Sequence, residues 1–128
     1  MALSRKGRDL FNRPYGNYYS DMHHIALDDY VVDVLLPDLV GHDRSPAAFL
    51  VYLVLWKELY RSAQRSIPMS LQDLASQSGL SKSAVQAAVR LLRRRSLIKT
   101  TKTSPTAVPQ HELVRHWVRR RARRPGTA

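Results

Sequence analysis

Cysteine is absent from the 128 residues. That excludes a disulfide scaffold, thiolate zinc sites, iron–sulfur clusters and cysteine nucleophiles together, and it fits a reducing compartment. Long hydrophobic runs are missing too. The longest, residues 47–56 (AAFLVYLVLW), is far short of the ~20 residues a membrane span needs. The opening MALSRKGRDLFNRPYG carries charge with no apolar stretch behind it, so no secretory signal is visible. There is no Gly-rich phosphate loop, GxSxG turn or HExxH, and no internal repeat. The expectation is a soluble cytoplasmic protein that is not an enzyme and carries no cofactor or metal.

Acidic residues are scarce in one half only. Residues 1–60 hold six Lys+Arg against eight acids, whereas in residues 61–128 fifteen bases face Asp73 and Glu112 alone. The net charge of +11 is therefore concentrated at the C-terminal side. A half-chain that basic repels itself unless an anion neutralises it, and nucleic acid is the usual anion. A basic surface that is merely solvated is the plain alternative. An anionic membrane is weaker, because no basic stretch has a strong apolar face. The apolar share of 44% is enough to build a core, and the length allows one domain with an appendage.

Residues 1–44 read as an irregular arm followed by a short helix, a possible dimerisation element. Tyr15, Tyr18 and Tyr19 beside Arg13 suit base stacking, or packing of the arm on its own domain or a partner. A short apolar helix is predicted over 27–40, with Asp28 or Asp29 near its N-terminus and Pro37 ending or kinking it. Gly41-His42-Asp43-Arg44 reads as a turn. Ser45-Pro46 then opens a long helix to about Ala63, Ser as cap and Pro at the first helical position. Its first ten positions after the proline are apolar on every side, so it needs cover on two faces. Its own domain is one cover; the 27–40 helix, a second subunit or both supply the other, which argues for a homodimer.

Beyond a short extended piece at Ile67-Pro68-Met69, the segment LQDLASQSGLSKSAVQAAVR, residues 71–90, is the most specific in the chain. Two helices joined tightly need a small residue at their crossing, here Ala75. They need a residue that tolerates positive φ in the turn, here Gly79. Leu74, Leu80, Val85, Ala88 and Val89 fix the interhelical angle, and Ser70 and Ser81 cap the two helices. An ordinary helical hairpin in a core is the plain alternative. Leu97 to Thr103 is strand-like, 104–109 is a turn, and 110–118 reads as a returning strand; a helix over HELVRHWVRR is its competitor. The tail RRRARRPGTA, residues 119–128, is expected to be flexible and basic.

Together these residues resemble a winged helix-turn-helix DNA-binding domain of bacterial regulators, similar to the MarR-like and GntR-like groups. The resemblance covers residues 45–118 and rests on the long helix, on LQDLASQSGLSKSAVQAAVRLLRRRSLI and on the strand–turn–strand after it. Two positions depart from the usual pattern: Ser78, where an apolar residue is common, and Ser96, where Gly is more frequent. The fold implied is mainly α with a small β-hairpin wing and an N-terminal helical extension.

The resemblance implies sequence-specific binding of double-stranded DNA, as a transcriptional regulator, with a recognition helix over 81–95 in the major groove. Val85, Ala88, Val89 and Leu92 form its inward stripe; Lys82, Ser83, Gln86, Ala87 and Arg90 face out. Gln86 suits adenine, Arg90 guanine or a phosphate, and Ala87 a thymine methyl. Ser81, Lys82 and the helix N-terminal amides suit phosphate. Of Arg93, Arg94 and Arg95, one or two are expected on phosphate and the rest solvated. The wing over 97–118, with Lys99 and Lys102, is expected on the backbone or minor groove. Arg119 and Arg120, in the 119–124 cluster, would extend into a groove as an arm. A replication- or partition-type DNA-binding protein, a protein-docking winged helix and a coating protein are the alternatives. No small-molecule effector site is evident.

Other constellations carry less. Asp28, Asp29, Asp33 and Asp38 read as solvated caps and surface. His23, His24 and His42 with Asp43 lack a recognisable metal-ligand spacing. His111 and His116, five apart, fall on opposite faces of a strand. Trp56 and Trp117 read as core or interface residues, Trp117 as an anchor of the returning strand.

Overall fold

The computed structural model describes residues 24–118. Tyr15, Tyr18, Tyr19, His23, Arg119 and Arg120 lie outside the described residues. The molecule is mainly helical with a small three-stranded antiparallel sheet. Among the described residues no helix is long and apolar enough to cross a membrane.

The chain does not stop helical structure at Pro37. Two π-helical stretches, Val31–Leu35 and Asp38–His42, run into one another through Leu36 and Pro37, both right-handed helical. Proline lacks an N–H and its ring crowds the carbonyl four residues back, which breaks an α-helix. The wider turn instead makes bonds five residues apart, Leu36 N–H to the Val31 carbonyl and Asp43 N–H to the Asp38 carbonyl at 2.9 Å. Gly41 and His42 thus belong to the helical segment, not to a turn. Val31, Leu35 and Leu39 keep one buried face. Arg44, with φ +53, turns the chain toward Ser45.

Helix α1 (Pro46–Ser62) starts where expected: Ser45 Oγ accepts the Ala48 N–H at 3.1 Å and proline occupies the first turn. It ends at Ala63, left-handed at φ +56, whose N–H reaches the Leu59 carbonyl at 3.0 Å. Ala48, Phe49, Val51, Tyr52, Val54, Leu55, Trp56 and Leu59 are buried. The second face of this all-round apolar helix is covered from within the chain, by the π-helical segment, leaving Leu50 as its exposed leucine.

Strand β1 (Ile67–Pro68) leads to α2 (Leu71–Ser78), α3 (Lys82–Arg94), β2 (Ile98–Thr101) and β3 (Gln110–Leu113). Ser70 and Asp73 form a reciprocal capping box at 3.1 and 3.0 Å. Between the helices Gly79 is left-handed at φ +81. The unexpected Ser78 earns its place by hydrogen bonding: its hydroxyl donates to the Leu74 carbonyl at 2.6 Å and accepts the Leu80 N–H at 3.2 Å. The sheet has order β1-β3-β2, so the extended piece at Ile67 is a third strand beside the hairpin. β3 is shorter than the expected 110–118, because Trp117 turns away from the sheet. Its ring stacks on Tyr30 at 4.4 Å and its indole N–H donates to Asp28 at 2.8 Å.

His111, in the central strand, is buried. Its Nε2–H donates to the Met69 carbonyl at 3.0 Å, so Nδ1 accepts the Thr100 hydroxyl at 3.0 Å. Burial pushes its pKa below 6.5, opposed by the Met69 bond and reinforced by the Arg93 charge. A histidine whose folded pKa is depressed binds fewer protons folded than unfolded, so stability falls with pH below about 6.5. Urea denaturation between pH 7.5 and 5, values chosen to bracket roughly this range, is expected to show that decline in the wild type and a weaker one in His111→Gln. Gly79→Ala, which forces a Cβ into the left-handed region, is expected to cost about 1–2 kcal/mol in the same assay.

Candidate nucleic-acid interface

Helix α3 is the most strongly two-sided element. Ser81 Oγ accepts the Ala84 N–H at 3.1 Å and starts the helix. Val85, Ala88, Val89 and Leu92 are buried against α1 and α2. Lys82, Ser83, Gln86, Ala87, Arg90, Arg93 and Arg94 are exposed. At 3.6 residues per turn, Ser83, Ala87, Arg90 and Arg94 follow the outward line, while Lys82, Gln86 and Arg93 share the flank beside Val89. The hydrogen-bonding side chains expected on one surface are thus brought onto one surface. Ser81 is exposed as well, but its oxygen serves the cap and lies 3.3 Å from Ser83 Oγ.

The strands add separate charges. Lys99 is exposed and stands opposite Glu112 in the register of β2 and β3. Lys102 folds onto its own turn, where Nζ donates to the Pro105 carbonyl at 3.1 Å. That bond is a local constraint on the connection between β2 and β3, and it leaves the ammonium exposed.

Arg95 departs from the expectation of a phosphate contact or a solvated side chain. Its guanidinium bridges Asp38 and Asp43, with Nη2 on the first carboxylate and Nη1 on the second. The Asp38 hydrogen bond, against a smaller burial penalty, raises the Arg95 pKa further and keeps it charged. Asp43 is held below its ordinary range first by the His42 Nδ1 contact at 3.0 Å, then, against burial, by Arg95. Asp38 is therefore not the free surface acid its sequence context suggests. Nor is Asp28: Arg115 donates to it through Nε at 2.9 Å and Nη2 at 2.6 Å, alongside Trp117. Burial alone would raise the Asp28 pKa; the Trp117 and Arg115 hydrogen bonds outweigh it and lower it. Arg115 also lies 5.3 Å over the Trp56 ring. These two clasps join residues far apart in the chain, and no local spacing announces them.

The remaining acids and histidines do not gather. Among the described residues no group of three or more His, Asp or Glu is placed to hold a metal. His116 packs edge-on against Tyr30 and Trp117 after β3 has ended, so it shares no strand with His111.

No protein-family model matches the chain, and neither a curated protein nor a solved structure gives a significant match.

The Arg95 clasp ties the end of α3 to the π-helical segment. Arg95→Ala leaves two part-buried carboxylates without their bridging cation and is expected to cost about 1–3 kcal/mol. Arg95→Lys is expected to recover only part, since an ammonium cannot span both carboxylates as a planar fork does. Urea midpoints for the two variants check the order; equal stability of all three proteins would refute it.

Proposed function

We propose that the chain is a winged helix-turn-helix protein that binds double-stranded DNA with sequence preference and acts as a transcriptional regulator. The observation that carries this reading is the outward surface of α3. Its apolar stripe is fully used inside the molecule, while Lys82, Gln86 and Arg90 stand uncovered beside three further exposed hydrogen-bonding or cationic side chains. A helix presented this way has the dimensions to enter the major groove. In that pose Gln86 and Arg90 reach base edges, Ser83, Arg93 and Arg94 reach phosphates, and Ala87 meets a thymine methyl. The hairpin of β2 and β3, with Lys99 and Lys102, forms the wing and lies along the backbone. The uneven charge supports the same reading, because a surface of uncompensated arginines gains affinity by releasing counterions from a polyanion.

Selection of bound duplexes from a random pool is the direct test. A consensus is expected, palindromic if two copies bind together and asymmetric if one does. Gln86→Ala and Arg90→Ala are each expected to cost about 1–3 kcal/mol and to relax preference at one position. Arg93→Ala should weaken all duplexes alike. Binding without preference would mark a coating protein, and absence of duplex affinity at low salt would mark a protein-docking module; either result overturns the regulator reading.

A further inference from the structure

Beside α3 lies a second feature that the base-reading surface does not use. An open basin of about 400 Å³ is lined by Arg93 from α3, by Thr100 and Thr101 of β2, by Gln110 of β3 and by Ser66 just before β1, with Lys99 and Glu112 at its side. Its charge reduces to one group. Lys99 and Glu112 are register partners across the strands, so their formal charges sum to zero at the side of the basin. Arg95 is committed to Asp38 and Asp43. Arg93 makes no ion pair or side-chain hydrogen bond among the described residues. An exposed guanidinium in a concave polar setting is suited to an oxyanion.

The other polar groups are of the right kind. Thr100 is spoken for by His111, but Thr101 is exposed, and the Ser66 hydroxyl spends its proton on Gln110 Oε1 at 3.5 Å. That contact uses the carbonyl side of the Gln110 carboxamide and leaves its N–H₂ to donate elsewhere. Position completes the case. Arg93 shares its flank of α3 with Lys82 and Gln86, so a backbone strand that follows this flank arrives at the basin between α3 and the sheet.

We propose that this basin is a phosphate seat, in which Arg93, Thr101 and the Gln110 N–H₂ group, oriented by the Ser66 hydroxyl, hold one phosphate of a nucleic-acid backbone. The proposal rests on the duplex-binding reading and adds three residues to it, Ser66, Thr101 and Gln110. They position the backbone and read no base.

The test uses the full chain with Thr101→Glu, which places a carboxylate in the seat, and Ser66→Ala, which removes one hydroxyl. Gln64→Glu, exposed and outside the basin, controls for added negative charge. Duplex affinity is measured across a salt series on sequences from the selection. Thr101→Glu is expected to weaken every duplex roughly tenfold, leave the consensus unchanged and reduce the salt slope by about 1. Ser66→Ala is expected to weaken all duplexes less, and it carries the decision if Thr101→Glu does not fold. Should both variants match Gln64→Glu while Arg90→Ala is impaired, the seat is refuted and duplex binding stands. If the wild-type chain holds no duplex, titration with inorganic phosphate decides. Saturable amide shifts at Ser66, Thr101 and Gln110, absent with chloride at equal ionic strength, keep the seat with free phosphate as its ligand. No such shifts overturn it.

Discussion

A helix that is apolar on every side cannot lie on a surface, and α1 is such a helix. Each large side chain it buries is worth about 1.5–3 kcal/mol relative to exposure, so its two faces must each recruit a cover. The π-helical stretch over Asp38–His42 supplies one, and α2, α3 and β3 supply the rest, with Val31, Leu35, Leu39, Val85, Leu92, Leu97 and Ile98 in the same core. Because α3 spends its whole apolar stripe on this task, its polar surface has nowhere to face but outward. The exposed row of Lys82, Gln86 and Arg90 is thus a consequence of how α1 is buried.

Charge is distributed by the same packing. The acidic N-terminal side and the basic C-terminal side meet at two clasps, Arg95 with Asp38 and Asp43, and Arg115 with Asp28. Both pair carboxylates of the acidic half with arginines of the basic half. The arginines of α3 left without acids, Arg90, Arg93 and Arg94, are then the ones exposed to an external anion. Arg93 and Arg95 illustrate the division: two residues apart, one bridges the fold and the other lines an open basin.

The local features of the two-helix unit were legible in the sequence because they act over four residues or fewer. Ser70, Ser81 and Ser45 cap as their positions predict, Gly79 takes the left-handed conformation, and the buried side of α3 matches its three- and four-residue spacing. Of the two outcomes Pro37 allowed, an end or a kink, the end is excluded, because a wider turn on each side relieves the cost of proline. The pairing of His111 and His116 on one strand failed because β3 ends at Leu113, and the bond from His111 to Met69, forty-two residues away, has no local signal.

Composition and short-range pattern by themselves determined the three α-helices, their Ser caps and which side of α3 is apolar, since backbone geometry and burial periodicity are properties of neighbouring residues. Only the tertiary structure decided what covers α1, which carboxylate takes which arginine, and where Trp117 turns. The clasps and the Trp117 contact join groups 52 to 89 residues apart in the chain, where a short sequence window contains just one of the two partners.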